Sequence, residues 1–171
     1  MNRKLFVISL IVNVTFSSFL FGMQENSEML RLTDDCAFDC YFGYKEKIAQ
    51  AVHDDPNVVH AVDYRGKTLL AIAARAGHVD IVDFLLKREA DINAVDNDGC
   101  SVLMYAAANP QGLATVKCLI DKGADLTIKH PKKQKMVHEI AVSKVTQTTS
   151  PGLIAIAQVL EQVYKKQHEP E

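Results

Sequence analysis

The chain has no tryptophan, and aromatic residues make up only 7% of its 171 positions. Five prolines and eight glycines are too few for a low-complexity linker or a collagen-like chain. Four cysteines are too few to build a small secreted scaffold from disulfides. No charge sign predominates: 19 Lys and Arg stand against 21 Asp and Glu, a net of −2, so no global basic field points to nucleic acid. With 48% hydrophobic and 23% charged residues the composition is that of a globular chain rather than a disordered one. The length suits one domain.

Long apolar runs are also scarce, and the one present is at the start. Met1-Asn2-Arg3-Lys4 leads into Leu5–Phe21, interrupted only by Ser9, Asn13, Thr15, Ser17 and Ser18. A basic lead, an apolar stretch and small residues at its end form the pattern of an export signal, and we read residues 1–22 so. Gly22 is small enough for the last position before a cut, although Leu20 is large for its place. An uncleaved anchor is the alternative, since a span needs about 20 residues. No cysteine lies near the cut to carry a lipid. Removing residues 1–22 takes away Arg3 and Lys4 and no acid, leaving 17 basic and 21 acidic residues. The expected location is therefore exported, periplasmic or secreted, with membrane anchoring as the alternative.

The rest of the chain repeats itself. Asp63, Gly66, Thr68, Leu70 and Ala73-Ala74 recur as Asp96, Gly99, Ser101, Leu103 and Ala106-Ala107, an offset of 33. Val82, Leu85, Ala90 and Asp91 recur as Val116, Leu119, Ala124 and Asp125 at an offset of 34, which places one inserted residue around Asn109–Gly112. The punctuation defines the unit. An Asp-x-x-Gly turn opens it, Thr68 or Ser101 caps a short apolar helix, Gly77 ends that helix, and a second helix follows over Val79–Arg88. Neither helix pair can bury its apolar face alone, so the units must stack.

These residues resemble the ankyrin repeat. Its pattern is roughly Asp-x-x-Gly-x-Thr-Pro-Leu-His-x-Ala-Ala-x-x-Gly-His, then a Val-x-x-Leu-Leu helix and Gly-Ala-Asp-Val-Asn. Residues 63–95 match at Asp63, Gly66, Thr68, Leu70, Ala73, Ala74, Gly77, His78, Ile81, Val82, Leu85, Leu86 and Ala90-Asp91-Ile92-Asn93, and 96–129 match nearly as well. The resemblance implies an all-α solenoid of about four stacked helix pairs. The divisions are an N-terminal capping repeat (32–62), repeats 63–95 and 96–129, a C-terminal capping repeat (130–166) and a tail (167–171). In the C-terminal copy Lys135–Ala141 sits where Thr68–Ala74 sits, residues 152–166 form the last helix, and Ser143–Pro151 forms a long polar connection. The pattern's Pro and His are Leu69 and Ala71 in one repeat and Val102 and Met104 in the next, which predicts repeats less stable than consensus ones. Glu89 stands where the family often has a left-handed Gly.

Little in the chain points to chemistry. The spacings His53/His60 and His130/His138 fit no metal pattern, and the histidines read as surface or loop residues. Cys36 and Cys40 are one helical turn apart, an awkward geometry for a bridge, and read as packing residues. Cys118 reads as core and Cys100 as exposed in a turn. An even cysteine count in an exported chain keeps disulfides open. There is no phosphate loop or Ser-His-Asp arrangement, so no catalytic, metal or cofactor residue is nominated. Lys129–Lys135 is a basic run, read as a solvated loop or as a finger for an acidic partner.

The resemblance implies a non-enzymatic module that binds a protein partner through turn tips and first helices. A membrane-tethered scaffold, or a small exported hydrolase, are the alternatives. No nucleic-acid binding is expected, and the chain reads as a monomer. The family's variable positions fall on Tyr64, Arg65, Lys67, Arg75 and Ala76, then on Asn97, Asp98, Cys100, Ala108 and Asn109. Lys132 and Lys133 would extend that face, and Tyr64 and Arg65 are its expected anchors, since aromatic and Arg side chains dominate interface energies.

Overall fold

A computed structural model describes residues 34–146 and 150–168. Residues 1–22, read as an export signal, and the first residues of the capping repeat lie outside them. Eight α-helices form among the described residues: α1 Asp34–Phe42, α2 Lys45–Asp54, α3 Leu69–Ala76, α4 Val79–Leu86, α5 Val102–Ala107, α6 Leu113–Asp121, α7 Val137–Val145 and α8 Pro151–His168. A 3-10 turn, Pro56–His60, follows α2.

The helices are short because their ends are marked. Thr68 Oγ1 accepts the Ala71 N–H at 3.2 Å, and Ser101 Oγ accepts that of Met104 at 3.3 Å, so the same hydroxyl cap starts α3 and α5. At the other end Gly77 turns left-handed, φ 88°, and its N–H returns to Ala73 O.

Successive helices form antiparallel pairs, and the pairs stack. The inner row packs α1 on α3, α3 on α5 and α5 on α7, while the outer row packs α4 on α6 and α6 on α8. Ala73, Ala74 and Ala106 are fully buried between inner helices. Leu69, Leu70, Ile81, Leu85, Leu103, Leu119, Ile156 and Leu160 fill the seam between the rows with almost no exposure. Each such aliphatic side chain contributes about 1.5–3 kcal/mol by leaving water.

The opening turns repeat atom for atom. Asp63 Oδ1 accepts the N–H groups of Arg65 and Lys67, both at 2.8 Å, and Asp96 Oδ1 accepts those of Asp98 and Cys100 at 2.9 and 2.8 Å. Gly66 and Gly99 follow at φ 77° and 75°. A Cβ on either would strike the next unit, at Asn97 Oδ1 (2.5 Å) or at the Pro131 ring (2.3 Å), so glycine is needed both for the turn and for close stacking.

The third turn departs from this. His130 occupies the aspartate's place, is buried, and its Nδ1 accepts the Lys132 N–H at 3.2 Å. The turn is one residue longer, closing from His130 to Lys135, and Gln134 takes the left-handed position at φ 51°. Consequently α7 begins after Met136, one residue later than the sequence register placed it. His130 is a structural acceptor rather than a surface histidine.

Other boundaries also move. α4 ends at Leu86, two residues before Arg88, because a tight turn begins there, with Ala90 N–H bonding back to Leu85 O. α7 runs on to Val145, so the polar connection expected over Ser143–Pro151 is shorter. α8 includes Gln167 and His168, placed in the tail by sequence: the His168 ring stacks on Tyr164 (4.4 Å between centroids) and its Nδ1 donates to Tyr164 O. The insertion at Asn109–Gly112 has a tertiary role. Gly152, near the start of α8, lies so close to Pro110 that a Cβ would sit 1.8 Å from its carbonyl oxygen.

All four cysteines are free thiols. Cys40 is fully buried on α1, donates to Leu69 O at 3.2 Å, and burial pushes its thiol up to about 12. Cys36 packs half-buried beside the core. Cys118 is half-buried rather than core. Cys100 is half-buried rather than exposed, because it closes the Asp96 turn; burial and the nearby Asp96 and Asp98 carboxylates raise its thiol pKa.

Glu89 is left-handed at φ 64°, its side chain is exposed, and it forms no ion pair among the described residues. Glu89→Gly therefore relieves backbone strain and should stabilise the domain by roughly 0.5–1 kcal/mol. The urea midpoint should rise; a fall would mean that the side chain contributes something its exposure conceals.

Candidate functional site

The predicted contact residues divide into two groups. The first is the row of turn tips. Tyr64 projects furthest, at 82% exposed, with the Arg65 guanidinium 5.3 Å from its ring centre. Asn97 ties neighbouring tips together: its N–H donates to Arg65 O at 2.9 Å and its side-chain amide to Tyr64 O at 3.4 Å. Asp98 and Lys132 form an ion pair at 2.6 Å, so the basic run reaches back to the previous repeat. That contact holds the Asp98 carboxyl below its ordinary range. Lys133 is exposed beside it.

The second group borders a groove of about 710 Å³ running across the carboxyl ends of the inner helices. Tyr41 and Phe42 come from α1, Arg75 and Ala76 from α3, Tyr105 from α5, and Lys144 from α7. Of the sequence-predicted residues this groove gathers Arg75, Ala76, Ala108 and Asn109. Asn109 is half-buried and engaged: its Nδ2 donates to Arg75 O at 3.1 Å and its Oδ1 accepts the Gln111 N–H at 2.9 Å. It therefore joins two repeats rather than offering a free amide.

Lys67 links the two groups. Its ammonium lies 5.2 Å from the centre of the ring of Tyr105, which lines the groove. The Tyr105 hydroxyl donates to Asp96 Oδ2, the second oxygen of the carboxylate whose first oxygen closes the turn. Burial, and then that bond, raise the phenol above its ordinary value. One buried carboxylate thus fixes a loop tip and a groove side chain together.

Sequence reasoning missed the groove's aromatic end. Phe38, Tyr41, Phe42 and Tyr44 are each about half exposed, and the Phe38 and Phe42 rings meet at 4.4 Å. His78 aligns this end, since its Nε2 donates to Tyr41 O at 2.9 Å and its ring lies against Gly43, where a Cβ would be 2.7 Å away. A signal existed: four aromatics crowd into seven residues of an otherwise aromatic-poor chain. Lys144 was also missed, because the C-terminal repeat lacks the pattern that would give its register. Burial lowers its ammonium pKa, and Lys133 and Arg75 push in the same direction.

A stack of helix pairs, a repeated Asp-x-x-Gly turn and a groove across the inner helices define a repeat-built helical scaffold. The sequence profile described as ankyrin repeats (3 copies) matches residues 37–130, more than half of the chain, and the chain belongs to the ankyrin-repeat family. It is similar to the ankyrin repeat and SAM domain-containing protein 6 of Rattus norvegicus, 33% identical over 88 residues, 51% of this chain and 10% of that protein. It is also 35% identical over 81 residues to the transient receptor potential cation channel subfamily A member 1 of Drosophila melanogaster, covering 47% of this chain and 7% of the channel. A third relative is the serine/threonine-protein kinase VIK of Arabidopsis thaliana, 41% identical over 49 residues, 29% of this chain and 11% of the kinase. The chain thus spans about a tenth of the length of these relatives. Ankyrin repeats are in general protein-interaction modules.

Among the described residues no group of His, Cys, Asp and Glu could hold a metal ion. Tyr105→Phe should cost roughly 1.5–3 kcal/mol, the usual worth of a hydrogen bond to a charged group. Urea unfolding checks this; unchanged stability would mean that the turn amides alone satisfy Asp96.

Proposed function

We propose that the chain is a non-enzymatic module that binds a protein partner along its turn tips and the groove across its inner helices. The observation that carries this is a division of labour among the polar groups. Asp63, Asp96, Asn97 and Asn109 are all engaged within the stack, while Tyr64, Arg65 and Arg75 extend from it exposed. A rigid framework that displays aromatic and Arg side chains is what a binding surface requires.

The test begins with a partner captured by the purified chain and a dissociation constant measured by calorimetry. Tyr64→Ala with Arg65→Ala should leave the melting temperature nearly unchanged, as exposed sites usually do. It should weaken binding by more than about tenfold, roughly 1.4 kcal/mol. Loss of binding on changing exposed Asp80 and Lys117 of the outer helices, with the tip variant unaffected, would assign the partner to the opposite face.

Export is part of the same reading. The basic lead, the apolar run Leu5–Phe21 and the small Ser17, Ser18 and Gly22 near its end support a cleaved signal. Among the described residues no helix is long and apolar enough to cross a membrane. Intact mass of the chain recovered from a bacterial host should correspond to loss of about the first 22 residues. Retention of Met1 in a membrane fraction would favour the tethered scaffold.

A further inference from the structure

The first unit ends the stack with an aromatic face. α3 is packed on both sides, by α1 and by α5, whereas α1 begins the row among the described residues. The other sides of α1 are in use. Cys36 and Cys40, one turn apart, face the stack, where the Cys40 thiol donates to Leu69 O of α3 at 3.2 Å. Asp39 turns to α2 and pairs with Lys47 at 2.9 Å, and Tyr41 lines the groove. Phe38 lies two residues from both cysteines and Phe42 two from Cys40, a rotation of about 200° on a helix of 3.6 residues per turn. The two rings therefore point away from the stack, on the side where an interior unit receives its neighbour. They meet at 4.4 Å, and Tyr44 continues the cluster, its ring 6.4 Å from that of Phe42. All three are about half exposed. A solenoid that ends in solvent carries a polar outer face on its terminal unit, and the α1 half of this unit does not.

We infer that this face receives a second copy of the chain, α1 against α1 about a twofold axis. The contact continues the inner row, giving α1 the second neighbour that α3 already has. A twofold axis makes the surface meet itself, so Phe38 of each copy lies against Phe42 of the other. Antiparallel helices satisfy this and oppose their dipoles. They also bring α2 over α2, whose exposed Glu46, Lys47, Gln50 and Asp54 mix both signs and suit a polar rim. The same register sets Asp35, exposed three residues before Phe38, beside Lys45, three residues after Phe42, in the other copy. Lys45 has room for that partner, since its contact with Asp80 is long, at 3.8 Å, and both side chains stay substantially exposed. Half exposed, Phe38, Phe42 and Tyr44 offer about 100 Å² each, given the roughly 150–250 Å² that a whole aromatic buries. That is about 600 Å² across a pair before α2 contributes, and a specific interface needs about 1,000 Å² in all. The dimer is therefore a weak one, and the monomer expected from the sequence is its dilute form. The face is separate from the turn tips, so the inference stands apart from partner binding there.

Sedimentation velocity of the purified chain, from about 1 to about 500 μM, tests this. A monomer–dimer equilibrium should appear, with a dissociation constant in the micromolar range or above. Phe38→Asp, which leaves every groove-lining residue in place, should raise that constant by about tenfold or more. Asp35→Lys should raise it several-fold, and adding Lys45→Asp to that variant should restore it. Circular dichroism checks that each variant is folded, and Phe38→Ser replaces Phe38→Asp if that variant melts early. A monomer at every concentration would overturn the inference. ANS fluorescence with that monomer would then leave the face to a different protein, and no dye binding would assign it to the chain's own residues before Asp34. A dimer unaffected by Phe38→Asp would join elsewhere and also overturn it. Failure of the double charge exchange to restore association would overturn the antiparallel arrangement.

Discussion

The stack depends on how closely neighbouring inner helices approach. Ala73, Ala74 and Ala106 leave no room for water or for larger side chains between α1, α3 and α5. The same closeness operates at the turn tips, where Gly66 faces Asn97 and Gly99 faces the Pro131 ring. Once the units are this near, each helix pair completes its neighbour's core, and the aliphatic seam excludes water along its length. A unit held farther away would lose both the seam and the bonds that cross it, from Asn97 to the Tyr64–Arg65 tip and from Asn109 to Arg75 O. Packing and hydrogen bonding therefore form together, as expected of a quasi-one-dimensional array.

Close stacking also determines which charges face outward. A turn that closes on its own carboxylate removes that carboxylate from the surface, and the repeat does this at Asp63 and again at Asp96. Asp98 is instead paired with Lys132 of the following unit. The substitution of His130 in the third turn follows the same logic, with a ring nitrogen accepting the amide in the carboxylate's place.

Much of this was legible along the chain. The offset of 33 fixed the repeat, and Thr68, Ser101 and Gly77 fixed where its helices begin and end, because caps and left-handed turns are local events. The family follows from the same residues. The register failed where local signals were absent: Lys135 was assigned the cap position because nothing in the sequence marks the extra residue of the His130 turn. Cys100 reads as exposed when a turn position is equated with solvent, but it closes the Asp96 turn, and Lys67 and Lys133 of the adjacent units come near it.

By itself the sequence determined the repeating unit and the caps and turns that bound its helices in the two regular copies, since these depend on contacts within about one repeat length. Only the tertiary structure decided which of those residues are available. Asn109 and Asn97 turned out to be engaged between repeats, and Asp98 is paired with a lysine 34 positions away. It alone joined Tyr41, Arg75, Tyr105 and Lys144 into one groove, drawing a residue from each of four units. The physical reason is that stacking brings each residue beside others one repeat or more away, and hydrogen bonds and charge depend on distance in space rather than along the chain.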